Sequence, residues 1–134
     1  MLKRIIYLII LLAIFSCEKN NNSPNIVFIL ADDLGYGDLS SYGSETIETI
    51  NIDKLAENGV KLTSYYAAQP VCSASRAAIL TGVYPNRIGI YNAFGPTSDS
   101  GINHNEYTLA EMLKDNGYKT GIFGKWHLGD AEKF

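Results

Sequence analysis

Cys72 and Arg76 stand four positions apart in the short run CSASR. Alanines and aliphatic residues follow as far as Gly82, which predicts a helix that begins near Cys72 and ends before the glycine. Residues four apart share one helix face, so the thiol and the guanidinium would lie together beside the N-terminal amides. That combination suits a tetrahedral oxyanion such as sulfate or phosphate. The alternative is a small buried cysteine on an alanine-rich core helix.

Two adjacent carboxylates, Asp32 and Asp33, follow the apolar run of residues 25–31 and precede two glycines. Hard carboxylate oxygens suit Ca²⁺ or Mg²⁺. Neighbouring side chains of a strand point to opposite faces, so both carboxylates reach one ion only if the backbone turns there. The alternative is an ordinary polar loop that binds no ion.

Lys125 and His127 form a third polar group, separated by Trp126. In an extended chain the two share a face, while Trp126 points the other way. Lysine offers a point charge to an anion, and histidine offers a proton switch near neutral pH. The alternative is a surface lysine and a histidine with satisfied hydrogen bonds beside a structural tryptophan. His104 lies between two asparagines, and we expect it to be a solvated loop residue rather than a ligand.

Strands and helices are expected to alternate around these groups. The sequence predicts strands at residues 25–31, 60–68 and 118–123. It predicts helices at residues 51–58 with Asn51 as N-cap, from residue 72 to Gly82, and at residues 108–116, where Thr108 and Glu111 match a capping box. Residues 92–106 read as a long surface loop. The order indicates an α/β fold, a mainly parallel sheet flanked by helices, with ligands beyond the carboxyl ends of the strands.

The 134 residues carry a formal net charge of −3 and no long basic run, which argues against a nucleic-acid partner. A basic start and the apolar residues 5–15 identify residues 1–16 as a signal peptide. The following Cys17 is interpreted as a lipid-attachment site, and residues 17–24 as a polar tether. We therefore expect export to the periplasm or cell envelope, with membrane attachment through the lipid. The competing roles of Cys17 and Cys72 argue against a disulfide between them.

Together these features resemble the sulfatase family, part of the alkaline-phosphatase-like superfamily. The run CSASR, with LTG after it, is similar to the family's formylglycine signature, although Ala74 stands where proline is commoner. Residues 25–35 are similar to its first strand and metal loop. The run GKWHLG at residues 124–129 is similar to its second signature. Several such matches in the right order carry the resemblance from about residue 25 to residue 130.

The resemblance implies a sulfatase that removes sulfate from an organic ester, such as a sulfated glycan. Cys72 would be oxidised to formylglycine by a formylglycine-generating or anaerobic sulfatase-maturating enzyme. One hydroxyl of the hydrated aldehyde would attack sulfur, and the other would expel sulfate. Asp32, Asp33 and residue 72 would bind one Ca²⁺. Arg76 would hold a formylglycine hydroxyl, Lys125 would bridge that group to sulfate, and His127 would assist the second deprotonation.

Members of this family continue well beyond 134 residues. Residues 25–134 are therefore interpreted as the truncated N-terminal portion of a sulfatase catalytic domain, and we expect this chain alone to be inactive. Two other functions stay open. One is a phosphonate or phosphodiester hydrolase of the same superfamily, and the other is a non-catalytic surface lipoprotein that keeps only the fold.

Overall fold

The computed structural model describes residues 23–130. The predicted signal peptide and the predicted lipid-attachment site at Cys17 lie outside this range. Within this range, residues 23–31 belong to one compact unit and residues 32–130 to another. Among the described residues, no helix has the length and apolar character needed to cross a membrane. The α-helices are α1 (Ile50–Asn58), α2 (Cys72–Thr81) and α3 (Leu109–Asp115), and short 3₁₀ helices lie at Tyr36–Asp38, Ser40–Tyr42 and Pro85–Ile88.

The strands predicted at residues 25–31, 60–68 and 118–123 are wrong for this structure, which forms no strand between residues 23 and 130. Residues 26–30 are apolar as expected, but their side chains are 42–82% exposed, and Phe123 is 98% exposed. Parallel strands are stable when both faces are covered and their edges are paired. Because the faces of these segments are open, the apolar pattern alone does not produce the expected sheet.

Small side chains place α2 at the centre of the buried core. Ala74 and Ala77 are fully buried on this helix, and they cluster with Ile90, Ile102 and Leu128. Because alanine side chains are short, the loops that follow α2 can pack close to its backbone. The core is therefore built from one helix and the irregular segments around it.

The helix ends predicted for α2 and α3 are confirmed. Gly82 adopts φ +66° and donates its N–H to the Ala78 carbonyl at 2.8 Å, a left-handed cap that glycine adopts without strain. At the start of α3, Thr108 Oγ1 accepts from the Glu111 N–H at 3.3 Å, and Glu111 Oε2 accepts from the Thr108 N–H at 2.8 Å. Both ends were predictable because their signals lie within a few residues of the cap.

The loop of residues 92–106 is only partly the surface loop that was expected. Ile102 is 5% exposed, and its N–H donates to the Leu128 carbonyl at 2.8 Å. His104 is exposed, as predicted. The loop is polar in composition, but its buried Ile102 attaches it to the segment of residues 124–129.

Thr49, not the predicted Asn51, precedes the first turn of α1 as N-cap. The reason is a polar cluster around Asp53. Asp53 Oδ2 accepts from Ser40 Oγ at 2.5 Å, and Oδ1 accepts from the Ser41 N–H and from Thr49 Oγ1, both at 2.9 Å. These hydrogen bonds tie the Ser40–Tyr42 turn to the start of α1.

The Asp53 cluster predicts a pH-dependent contribution to stability. Hydrogen bonds, first from Ser40, lower the pKa of Asp53 below its usual 3.8. A carboxyl whose folded pKa is depressed stabilises the protein above its unfolded pKa, and the effect is lost as pH falls through the folded value. We expect Asp53→Asn to lower the Tm by a few degrees at neutral pH and to have little effect in strong acid.

Circular dichroism during heating checks this expectation at both pH values. Asp99→Asn, at an exposed loop position, is the matched control and should change little at either pH. An equal Tm change for Asp53→Asn in acid and at neutral pH would show that the carboxylate charge is not what stabilises the cluster.

Candidate active site

Asp32 connects the two cationic residues that the sequence singles out. Its Oδ1 accepts a hydrogen bond from Arg76 Nη2 at 2.9 Å, and its Oδ2 accepts one from Lys125 Nζ at 2.7 Å. Arg76 lies 44 positions away and Lys125 lies 93 positions away along the chain. The structure thus brings together one residue from each of the three polar groups.

The charges of Asp32, Arg76 and Lys125 stabilise one another. Hydrogen bonding, first to Lys125 and then to Arg76, lowers the pKa of Asp32 below its usual 3.8. Hydrogen bonding to Asp32, with a smaller contribution from the Cys72 side chain, raises the pKa of Lys125 above its usual 10.5. Asp32 therefore stays ionised and Lys125 stays protonated across the neutral range.

Arg76 is 9% exposed and joins α2 to the segment of residues 124–129. Its Nη1 donates to the main-chain carbonyl of Lys125 at 2.6 Å, while Nη2 donates to Asp32. A buried guanidinium requires such partners, because an unpaired buried charge is strongly destabilising. Its Nε is buried without a protein partner. Arg76 thus has one donor that no protein atom satisfies.

Cys72 is the first residue of α2 and is half-buried. Its Sγ and one carboxylate oxygen each from Asp32 and Asp33 lie within 4.8 Å of one another. The two carboxylates can converge because Asp33 adopts φ +57°, so the backbone turns at this position. A left-handed aspartate is uncommon, and such strain is typical of functional sites.

The donor set fits a hard divalent cation in part. Two carboxylates are ligands that Ca²⁺ prefers, whereas a thiolate is a soft ligand that Ca²⁺ does not favour. Oxygen in place of sulfur at residue 72 would complete a set of three oxygen donors. Both Asp32 oxygens already accept hydrogen bonds, so a cation would share this carboxylate with Arg76 and Lys125.

Lys125 and His127 do not share one environment, contrary to the prediction from an extended chain. Lys125 reaches Asp32, whereas His127 Nε2 lies 2.8 Å from the Phe94 carbonyl oxygen. The reason is that His127 adopts φ +58°, which breaks the alternation of an extended strand. Trp126 is partly buried and packs against the core.

The two ring nitrogens of His127 have different roles in the structure. A carbonyl oxygen only accepts hydrogen bonds, so the contact with Phe94 requires a proton on Nε2. Nδ1 is buried and has no protein partner. His127 also lines a cleft of about 320 Å³ together with Phe94 and Pro96. Nδ1 is therefore the ring atom that makes no hydrogen bond to the protein.

Sequence reasoning missed Ser73 and the main chain of Phe94. Ser73 is fully buried, and its Oγ accepts from the Phe94 N–H at 3.0 Å. No motif marks Phe94, because it contributes peptide atoms rather than a reactive side chain. The adjacency of Ser73 to Cys72 is the one signal that could have drawn attention to it.

Comparison with known proteins gives a consistent result over most of the chain. A family model described as Sulfatase matches residues 24–133. Steryl-sulfatase of Homo sapiens is 48% identical over 128 residues, which cover 89% of this chain and 22% of that protein. Arylsulfatase A of Bos taurus is 52% identical over 107 residues, which cover 79% of this chain and 21% of that protein.

Solved structures agree with the sequence matches. Ps i-CgsB superposes with a TM-score of 0.74 at 44% identity, covering 78% of this chain and 23% of that one. The same protein in complex with k-i-k-neocarrahexaose gives a TM-score of 0.72 at 42% identity, covering 75% of this chain and 23% of that one. The chain spans about a fifth of the length of the curated relatives it matches.

Proposed function

Since this chain belongs to the sulfatase family, we propose that its protein is a sulfuric ester hydrolase that removes sulfate from an organic sulfate ester. The observation that carries the proposal is the convergence of Cys72 with two carboxylates and with the Asp32–Lys125 ion pair. The similarity to solved structures also supports an alkaline-phosphatase-like α/β fold for the complete domain.

Residue 72 supplies the nucleophile in this proposal. A thiolate is poorly suited to attack sulfate, whereas hydrated formylglycine offers two hydroxyls. One attacks sulfur and displaces the substrate alcohol, and the other loses its proton, expels sulfate and restores the aldehyde. Oxidation of Cys72 also replaces the soft sulfur with oxygen beside Asp32 and Asp33. That change makes the three residues a suitable donor set for Ca²⁺, which would stabilise the charge of the sulfate group when bound.

Lys125 and Arg76 hold the anionic groups in place. Lys125 is protonated across the neutral range because its hydrogen bond to Asp32 raises its pKa, and the Cys72 side chain adds to this effect, so its charge lies near the nucleophile. Arg76 is fixed beside Lys125 by hydrogen bonds to Asp32 and to the Lys125 carbonyl. Fixed donors of this kind stabilise charge that develops in a transition state, because they need no reorganisation during the reaction.

His127 exchanges the proton in this scheme. Its Nε2 is committed to the Phe94 carbonyl, so Nδ1 accepts the proton from the hydroxyl whose deprotonation releases sulfate. Histidine suits this task because its ordinary pKa lies near neutral pH.

The proposal also includes export of the protein to the cell envelope. Residues 1–16 direct export, and Cys17 carries a lipid that anchors the mature chain in the cell envelope. A maturation enzyme of the formylglycine-generating or anaerobic sulfatase-maturating type is the partner that oxidises Cys72. The solved complex of Ps i-CgsB with k-i-k-neocarrahexaose supports sulfated saccharides as the first natural substrates to examine.

The native protein from its own host provides the test. We expect it to hydrolyse an aryl sulfate with a kcat/KM at least about 100-fold above that for the matching phosphate diester or phosphonate. Chelation with EGTA should abolish hydrolysis, and added Ca²⁺ should restore it. A preference for the phosphorus ester would favour the phosphohydrolase alternative, and an inactive protein with an unmodified Cys72 thiol would favour the non-catalytic lipoprotein.

A further inference from the structure

We propose that Ser73 is a positioning residue for His127 and that it acts through the main chain of Phe94. The proposal rests on the function proposed above, because His127 matters here as the group that exchanges a proton. The reaction scheme above gives no role to the side chain of Ser73, and this proposal assigns it one.

Both peptide groups of Phe94 are held by side chains. The Phe94 N–H donates to Ser73 Oγ at 3.0 Å, and the Phe94 carbonyl accepts from His127 Nε2 at 2.8 Å. One residue of main chain therefore connects a hydroxyl on α2 to the imidazole. Loss of either contact would leave Phe94 held from one side only.

Ser73 is well placed to act as a fixed reference. It is fully buried in the first turn of α2, next to residue 72. A short serine side chain in a helix has few rotamers, and this one is enclosed on all sides. The connection through Phe94 thus sets the distance between the imidazole and the helix turn that carries the nucleophile.

His127 needs such support from outside its own segment. Its φ of +58° is uncommon for a residue other than glycine, and such a conformation persists only where surrounding contacts enforce it. Leu128 is fully buried, and Trp126 packs against the core on the other side. These neighbours fix the backbone, but the hydrogen bond to Phe94 is what orients the ring and leaves Nδ1 free.

Nitrogen-15 NMR of histidine-labelled chain tests the proposal without any need for activity. The sequence contains two histidines, and the exposed His104 serves as the internal reference for a freely exchanging ring. At alkaline pH, His127 should show a protonated Nε2 and an unprotonated Nδ1. Ser73→Ala should shift both His127 signals toward the averaged pattern of His104, whereas Ser73→Thr, which keeps the hydroxyl, should retain the wild-type pattern.

Controls keep the result interpretable. Ser64→Ala makes the same change at an exposed position and should leave His127 unaltered. If Ser73→Ala loses its helical circular dichroism, Ser73→Cys keeps the side-chain size with a much weaker acceptor and should give the same shift. A proton on His127 Nδ1 in the wild type, or His127 signals unchanged in the folded Ser73 variants, would overturn the proposal.

Kinetics separate this proposal from the proposed function. In the native, matured protein, Ser73→Ala should lower kcat about 10- to 100-fold with little change in KM, as is typical when the support of a reacting group is removed. A wild-type protein without sulfatase activity would refute the function while the NMR result still decides the role of Ser73. An active wild type whose kcat is unchanged by Ser73→Ala would refute the positioning role alone.

Discussion

Replacing Cys72 with alanine is expected to reduce sulfate-ester hydrolysis by about 10³-fold or more, because it removes the proposed nucleophile. It also removes one of three converging ligand atoms beside Asp32 and Asp33. The measurement is kcat/KM on an aryl sulfate for the native protein and its variant. Cys72 is only half-buried, so the smaller side chain should leave the helix intact.

Mass spectrometry of the peptide that contains residue 72 gives the matching chemical evidence. The wild-type peptide should be lighter than the thiol form by the difference between a CH₂SH group and an aldehyde. Cys72→Ser keeps the size of the side chain and should be inactive wherever the maturation enzyme oxidises cysteine alone. An active protein with an intact thiol at residue 72 would contradict the proposed nucleophile.

Asp32→Asn should have the second largest effect, with a loss of at least about 100-fold in kcat/KM. Even residues that only support metal ligands typically contribute 10- to 100-fold, and Asp32 both offers a ligand atom and pairs with two cations. The amide keeps the shape but loses the negative charge. The nine-tenths buried guanidinium of Arg76 would then lack a charged partner.

Asp33→Asn is the matched control for this prediction. Asp33 lies in the same turn and offers a ligand atom, but it makes neither of the ion pairs. We expect a smaller loss of activity, and calorimetric titration with Ca²⁺ should show weaker binding for Asp32→Asn than for Asp33→Asn. Equal losses for both variants would mean that the ion pairs of Asp32 contribute nothing beyond metal binding.

Local signals made part of this structure predictable. The start of α2 at Cys72, its glycine cap and the Thr108–Glu111 capping box all depend on residues within a few positions of one another. Such short-range contacts are encoded directly by residue type. The identity of the polar groups that converge on Asp32 was predictable for a different reason, namely their resemblance to the motifs of one family.

Long-range contacts were not predictable from the sequence. The bond from Arg76 to the Lys125 carbonyl spans 49 positions and uses a main-chain atom that no motif records. The left-handed φ of His127, which separates it from Lys125, is uncommon for residues other than glycine, and no local motif marks it. The predicted strands were wrong because an apolar run specifies a strand only when other chain segments cover and pair with it.

Because the first turn of α2 is buried in the folded protein, the proposed oxidation of Cys72 has to precede complete folding. Ser73 and Ala74 are fully buried and Arg76 is nearly so, partly beneath the carbonyl of Lys125. An enzyme that recognises Cys72 by its neighbours needs them accessible, so oxidation has to occur before residues 124–129 dock on the helix. The fraction of chains that is modified then depends on the rate of Cys72 oxidation relative to the rate at which residues 124–129 dock. Conditions that speed docking would trap a permanently unmodified thiol in a correctly folded protein.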